Sequence, residues 1–523
     1  MHKTLKIIII GSGASGSAAA WNLSEGSFEI ICFEQGPDLG KKTYSTKRND
    51  WEVIKQTKFN PNPNIRKLKH DYLINDKKSP ISIANFNAVG GSTLLYNCHF
   101  PRFHQSDFKT KTLDNVGEDW PVTYKDLEKY YKINEKLMNV RGLNGDPFYP
   151  DINHLKPNIP LGKLGIKLAK GFNKLKWHWW PSYSAYLNDK NLNFQKSTVK
   201  DTYLKKATKN GVKINKDCLV TKIVLDSNNL AKGVFYVNSN GERKFENADV
   251  VILAAGGIGT PRLLFNSKNK KFPNGLANSS KLLGKNLMLH PLGYVEGKFN
   301  KYIASNIGPE GCCLASHQFY ETRNDRNFKR GYSMQIIRGA GPLDTILNLK
   351  KFRKMKFGRD FHKIFFDFFG KTAGIAVICE DLPDKKNFVE LDKRPQSQKK
   401  IMPDVSINYS LSNNTRNMMK HGLNNAKKIL INAGAKVSFG YGPVRNTGWH
   451  IMGTAKMGNK PNKSVVNKFG QSHDIKNIFI VDSSIFVTSG GVNCMSTIQA
   501  LSLYITNNLK LYYNQLVNKN DKT

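Results

Sequence analysis

A β-branched run that ends on glycine does most to limit what this chain can fold into. Ile7-Ile8-Ile9-Ile10 is continuously apolar, the pattern of a strand buried on both faces of a parallel sheet. Gly11-Ser12-Gly13-Ala14-Ser15-Gly16 follows at once, and Ser17 to Leu23 reads as a helix. Phe28 to Phe33 is a second strand, closed by Glu34. Together these make a βαβ unit of about 30 residues. Gly11 allows the tight turn, Gly13 lets backbone amides approach a pyrophosphate, and Gly16 lets the helix pack close to the strand. The helix N-terminus adds partial positive charge for the phosphates. Glu34 comes 18 residues after Gly16, where a carboxylate accepts both hydroxyls of an adenosine ribose. The unit predicts a dinucleotide site, for NAD or FAD.

The rest of the chain separates those two. An NAD domain continues with alternating strands and helices. Here the chain leaves at residue 41 for a polar, Pro- and Asn-rich stretch to residue 80, which reads as a loop or cover segment. It returns at Val89-Gly90-Gly91-Ser92-Thr93, a second glycine turn. A third piece, Val250 to Leu264, is a buried strand followed by Ala254-Ala255-Gly256-Gly257 and a helix start. Small residues there let backbone come close to a large flat ligand. Between these pieces, Val220 to Val224, Gly233 to Val237 and the Asn240-Gly241 turn predict a meander. Residues 124–139 and 413–433 have helical spacing. Residues 291–345 and 370–410 alternate apolar and polar, as an antiparallel sheet does. At 523 residues, with 39% hydrophobic composition, the chain has ample material for one large or two to three ordinary domains, and global disorder is excluded.

Charge and cysteine narrow the function classes. Eighty basic residues against 40 acidic give +40. The lysines are dispersed; the short runs Lys41-Lys42, Lys350-Lys351 to Lys354 and Lys356, Lys399-Lys400 and Lys427-Lys428 never reach a block of five. No nucleic-acid module accompanies them, so nucleic acid is not expected as a partner. Lys350 to Phe369 mixes basic and aromatic residues. It reads as a lysine-faced packed helix or, alternatively, a surface touching an anionic membrane or a partner subunit. The seven cysteines form no C-x-x-C pair and are expected as buried free thiols in a reducing compartment. No Cys/His spacing suits a metal, and no metal site is expected. Neither a signal h-region nor an apolar stretch of 18 residues is present, so a cytoplasmic location is expected, with peripheral membrane association as the variant.

The C-terminal residues make the resemblance specific. They are Gly448-Trp449-His450-Ile451-Met452-Gly453-Thr454, then Ile478-Phe479-Ile480-Val481-Asp482-Ser483-Ser484, then Ser489-Gly490-Gly491-Val492-Asn493-Cys494-Met495-Ser496-Thr497. With the three glycine pieces, in the same order, the chain resembles the glucose–methanol–choline (GMC) family of FAD-dependent oxidoreductases. Residues 105–195 and 291–440 match only loosely. The resemblance implies an α/β fold: a split, Rossmann-like FAD-binding domain (1–45, 81–110, 198–290 and 445–523) and a mainly antiparallel substrate domain (111–197 and 291–444), with 46–80 as the cover. It implies FAD contacts from Gly11, Gly13, Ser15, Gly16, Glu34, Gly90, Gly91, Ser92, Val220, Ala255, Gly256, Asp482, Ser483, Cys494, Met495 and Thr497. His450 corresponds to the family's catalytic histidine and Asn493 to the His or Asn beside it. Leu95 stands where some members carry a flavin-linking His, so noncovalent FAD is expected; His99, four residues on, is not promoted to that role. Asn467 stands where an aspartate is common.

The expected activity is oxidation of a CH–OH group in an alcohol, sugar, polyol or sugar acid. An alcohol needs a base for its hydroxyl proton, which suits His450, and a flavin as hydride acceptor. Asn493 would hold the substrate oxygen. Oxygen, a quinone and a cytochrome all suit as electron acceptor. Two alternatives are a lyase of the same fold without net redox, and a basic protein binding anionic surfaces. Trp177-His178-Trp179-Trp180 is expected as core packing, with sugar stacking as the alternative.

Overall fold

The computed structural model describes residues 4–45, 48–188, 194–338, 341–353, 358–394 and 401–517. Its centre is a five-stranded parallel sheet in the order Ile478–Ile480, Val250–Leu253, Leu5–Ile10, Phe28–Phe33, Lys213–Asn215. Ile7, Ile8 and Ile9 are fully buried, as the unbroken apolar run predicts, each worth about 1.5–3 kcal/mol relative to exposure. The helix Ala14–Ser24 covers one face and packs against the long C-terminal helix Met495–Val517. The predicted meander is Leu219–Leu225, Ala231–Val237 and Arg243–Asn247, antiparallel, with Gly241 at φ +83° in its turn.

A six-stranded antiparallel sheet stands over the first layer. Its order is Lys436–Tyr441, Leu292–Lys298, Thr372–Cys379, Tyr332–Arg338, Gly311–Phe319, Trp180–Pro181. The helix Asn413–Asn432, capped by the Ser412 side chain, packs on this sheet. Tyr124–Leu137 is the other predicted helix, started by a capping box between Thr123 and Asp126. The chain is therefore α/β with a second, antiparallel sheet.

One expectation about the elements needs correcting. The segment read as a loop carries the short helices Trp51–Ile54 and Pro63–Arg66 and the strand Ile74–Lys78. That strand pairs parallel with Val405–Asn408, at the edge of a three-stranded sheet. Its sequence, Ile-Asn-Asp-Lys-Lys, has one apolar residue, so hydrophobic alternation could not reveal it. Trp51 and Phe59 are buried in a small core with Phe86 and Leu94, which ties the segment down as a lid. In sequence, Lys350 to Phe369 reads as a packed helix or a contact surface. It falls on the helices Pro342–Arg353 and Phe361–Phe368, with Phe368 buried and Phe366 exposed; Lys354, Lys356, Lys399 and Lys400 lie outside the described residues. Among the described residues no helix is long and apolar enough to cross a membrane, and no cluster of His, Cys, Asp or Glu has metal-ligand geometry. All seven cysteines are free and buried.

Candidate active site

A cavity of about 860 Å³ runs between the two layers, from Glu34 at one end to His450 and Asn493 at the other. Its floor is built by the turns that leave the parallel strands. Gly11 adopts φ +104°, and a Cβ there would sit 2.5 Å from the Ala254 carbonyl oxygen, so only glycine lets the two strand ends approach. Gly13 and Gly256 are different: a Cβ at either meets nothing within 4 Å, because both face open cavity. The helices Ala14–Ser24 and Gly256–Asn266 start at this floor, with N-caps Gly13 and Ala255 that offer no side-chain acceptor. First-turn N–H groups are thereby left for an anionic ligand.

Gly11, Gly13, Ser15, Glu34, Gly91, Ser92, Val220, Ala255, Gly256, Asp482, Ser483, Cys494, Met495, His450 and Asn493 all line the cavity. Gly16, Gly90 and Thr497 do not. A Cβ at Gly16 would lie 1.9 Å from the Gly11 carbonyl oxygen, so its work is packing. Gly90 supplies a left-handed turn at φ +97°. The Thr497 hydroxyl is turned to the Tyr131 hydroxyl, 2.8 Å away, while Met495 and Ile498 on either side of it line the cavity.

The two acids have protein partners as well as cavity exposure. Glu34 Oε2 accepts from Ser12 N at 3.0 Å and Ser12 Oγ at 2.8 Å, and Oε1 accepts from Gly36 N at 2.9 Å. Burial pushes its pKa up while these bonds pull it down. Oε2 already accepts two bonds, so the remaining lone-pair capacity for a ribose hydroxyl is on Oε1. Asp482 Oδ2 accepts from Gly256 N and Thr260 Oγ1, at 2.9 and 2.5 Å, and Oδ1 from Ser484 N at 2.9 Å. Asp482 thus caps the helix whose first turn faces the cavity. A chamber with a ribose-type acid, an open glycine at Gly13 and two helix N-termini at its wall, one of them uncapped, fits a dinucleotide such as FAD.

At the far end two histidines form a pair. His290 Nε2 lies 3.0 and 2.6 Å from the carbonyl oxygens of Ser489 and Gly490, so that nitrogen carries the proton. Its Nδ1 is then an acceptor, and His450 Nδ1, 3.0 Å away, donates to it. His450 Nε2 is left with a lone pair, which receives the Asn493 amide at 3.3 Å. Gln335 Nε2 donates to Asn493 Oδ1 at 2.5 Å and fixes which end of that amide faces the histidine. Burial lowers both histidines, His290 to about 4 and His450 well below the usual value, with the neighbouring rings adding to the second. The pair is neutral at physiological pH and holds one basic nitrogen toward the cavity.

His290 and Gln335 are what motif reasoning could not assign. His290 has φ +46°, and Asp381 Oδ2 holds the adjacent Leu289 N at 3.1 Å. Leu95 and His99 line the cavity; His178 does not, and its Nε2 faces Asp146 at 3.1 Å. The tryptophan run packs on strand and loop, with Trp180 Nε1 donating to Leu143 O and Trp179 Nε1 to Asn173 Oδ1, at 2.9 and 2.7 Å. None of its rings reaches the cavity.

A dinucleotide cleft roofed by an antiparallel sheet, with a neutral histidine base at its end, is the architecture of a flavoprotein oxidoreductase. Comparison with known proteins gives the particular family. The N- and C-terminal GMC oxidoreductase models match residues 5–292 and 383–502. The chain is 33% identical over 520 residues to 2-methyl-1,2-propanediol dehydrogenase of Mycolicibacterium austroafricanum, covering 95% of this chain and 93% of that one. It is 26% identical to the fructose dehydrogenase large subunit of Gluconobacter japonicus, covering 95% and 96%. Pyridoxine 4-oxidase from Mesorbium loti shares the fold with TM-score 0.67 at 17% identity, over 97% of this chain and 99% of that one. The chain belongs to the GMC oxidoreductase family, whose members are FAD-dependent enzymes.

Proposed function

We propose that the protein oxidises a CH–OH group of a small alcohol, polyol or sugar, with His450 as the base and FAD held without a covalent bond. The observation that carries this is the His450–His290 pair, which leaves an unprotonated Nε2 facing the chamber. When bound, FAD supplies the hydride acceptor. His450 Nε2 takes the hydroxyl proton as the C–H bond gives up its hydride, and Asn493 Nδ2 donates to the same oxygen and holds it in line. The parallel-sheet side, through Gly13, Glu34 and the helix starting at Gly256, holds the dinucleotide. The segment carrying Trp51 and Phe59 forms part of the chamber wall.

The names of the relatives support this: a diol and a sugar are the substrates they state. Leu95, aliphatic and lining the cavity, supports noncovalent binding. His450→Ala should slow anaerobic, substrate-dependent flavin bleaching by about 10²- to 10⁴-fold with FAD retained. A wild-type rate would move the base elsewhere, and loss of FAD would make His450 structural. Acid precipitation of the wild type should release all its flavin; flavin held in the pellet overturns the noncovalent assignment. Reoxidation of the bleached protein by air or by a quinone then separates an oxidase from a dehydrogenase.

A further inference from the structure

The roof of the chamber carries a cation that no carboxylate among the described residues balances. Arg338 ends the strand Tyr332–Arg338, lines the cavity and is 7% exposed. Its Nε donates to Pro309 O at 2.9 Å and its Nη1 to Pro160 O at 3.1 Å. Among the described residues it forms no ion pair, and Nη2 has no protein acceptor. Of the other buried arginines, Arg66, Arg102 and Arg330 are paired with carboxylates, whereas Arg262 is held, like Arg338, by backbone carbonyls. Arg102 is paired with Glu135 at 2.6 Å, and Arg330 with Asp107, Asp114 and Glu380 at 2.5 to 3.0 Å. Arg262, on the dinucleotide side, lies 3.9 Å from the Tyr72 ring centroid and donates to backbone carbonyls. A buried charge is costly without a counter-charge, and proteins rarely leave one so.

The neighbouring carboxylates are already engaged. Glu310 faces Lys196 at 3.7 Å, and Asp344 faces Lys55 at 2.6 Å. His99 links the cation to the chemistry: its ring lines the cavity and lies in electrostatic reach of both Arg338 and His450. Its Nδ1 is buried without a partner. Leu292, Ile337 and Ile378 add apolar side chains to the same lining. The chamber is therefore lined by a base, by apolar side chains, by a guanidinium with no carboxylate partner among the described residues, and by a histidine with an unpartnered ring nitrogen.

We infer that Arg338 and His99 receive a carboxylate of the substrate, so that the preferred substrate is a hydroxy acid whose hydroxyl meets His450. The inference rests on the CH–OH reading above. A single planar guanidinium matches a monoanionic carboxylate; a phosphate dianion would bring a second charge with no partner.

The test uses the holoenzyme and chain-length-matched pairs: 3-hydroxypropanoate with 1,3-propanediol, and 6-hydroxyhexanoate with 1,6-hexanediol. Glycerol 3-phosphate with glycerol is the phosphate arm. The acid should have the higher kcat/KM in at least one carboxylate pair. Arg338→Gln should lower the acid-over-diol ratio by about 10- to 150-fold, the loss of a charge-assisted bond, and Arg338→Lys by less. A wild type that favours the diols, or a ratio that Arg338→Gln leaves unchanged, overturns the inference. So does a phosphate preference larger than the carboxylate one. Where Arg338→Gln loses its flavin, calorimetric titration with hexanoate at constant ionic strength decides. Saturable binding to the wild type, weakened in Arg338→Lys, supports the receiving site, and no binding overturns it. A protein that binds hexanoate yet is bleached by no alcohol or hydroxy acid refutes the CH–OH reading, and with it the hydroxy-acid substrate, and leaves only the carboxylate-receiving site at Arg338.

Discussion

Replacing His290 tests whether the histidine pair, rather than His450 alone, sets the base. His290→Ala removes the Nδ1 acceptor that lies 3.0 Å from His450 Nδ1. The His450 N–H then becomes a buried donor with no partner. The ring recovers by rotating or by moving its proton to Nε2, and either change takes the lone pair away from the substrate hydroxyl. An unsatisfied buried donor costs about 1–3 kcal/mol, which at about 1.4 kcal/mol per tenfold slows flavin bleaching by about 5- to 150-fold. His290→Asn is the partner variant. Its amide oxygen accepts from His450, and asparagine tolerates the positive φ of +46° at this position. Most of the rate should return in it. The assay is anaerobic stopped-flow bleaching, with flavin content measured on the same samples. A full rate in His290→Ala with flavin retained refutes the tautomer argument. Equal slowing in both variants shows that packing at residue 290, and not the hydrogen bond, is what matters.

The pH dependence follows from the same pair. A base works while neutral, and burial moves His290 down to about 4 and His450 well below its usual range, so their protons are taken up as a pair only in acid. The kcat/KM profile should stay level through neutral pH, with its acidic limb appearing below the ordinary histidine pKa of about 6.5; a limb at or above that value refutes the assignment. At the other end of the cavity, Gly16→Ala puts a Cβ 1.9 Å from a backbone oxygen, which no side-chain rotation relieves. That variant should be purified without FAD or as aggregate, and a yellow, monodisperse product would show that the helix can shift.

The features legible in the sequence are local ones. A run of four β-branched isoleucines closed by glycines reads as a buried strand, and glycines at fixed offsets are demanded by a left-handed φ at Gly11 and a helix–strand contact at Gly16. The same holds for the elements carrying His450 and Asn493, whose flanking strand and helix are set by nearby residues. Thr497 shows the limit of that kind of reasoning. It lies in the right motif, but helix rotation turns its hydroxyl to Tyr131 instead of the cavity.

Only the tertiary structure decided the partners. His290 and His450 are 160 positions apart, and Gln335 and Asn493 are 158 apart. Their meeting depends on the register of the six-stranded sheet and on how that sheet sits over the parallel one. Alternation along Tyr332–Arg338 says that some side chains share a face, but not which face looks onto the cavity. The lid strand Ile74–Lys78 carries almost no apolar signal, because its pairing with Val405–Asn408 is made by backbone hydrogen bonds. Nor can a sequence say whether an arginine has a counter-charge. Arg330 and Arg338 stand eight residues apart in it, and folding gives the first several carboxylates and the second none among the described residues, because contact across the chain, not order along it, sets the local field.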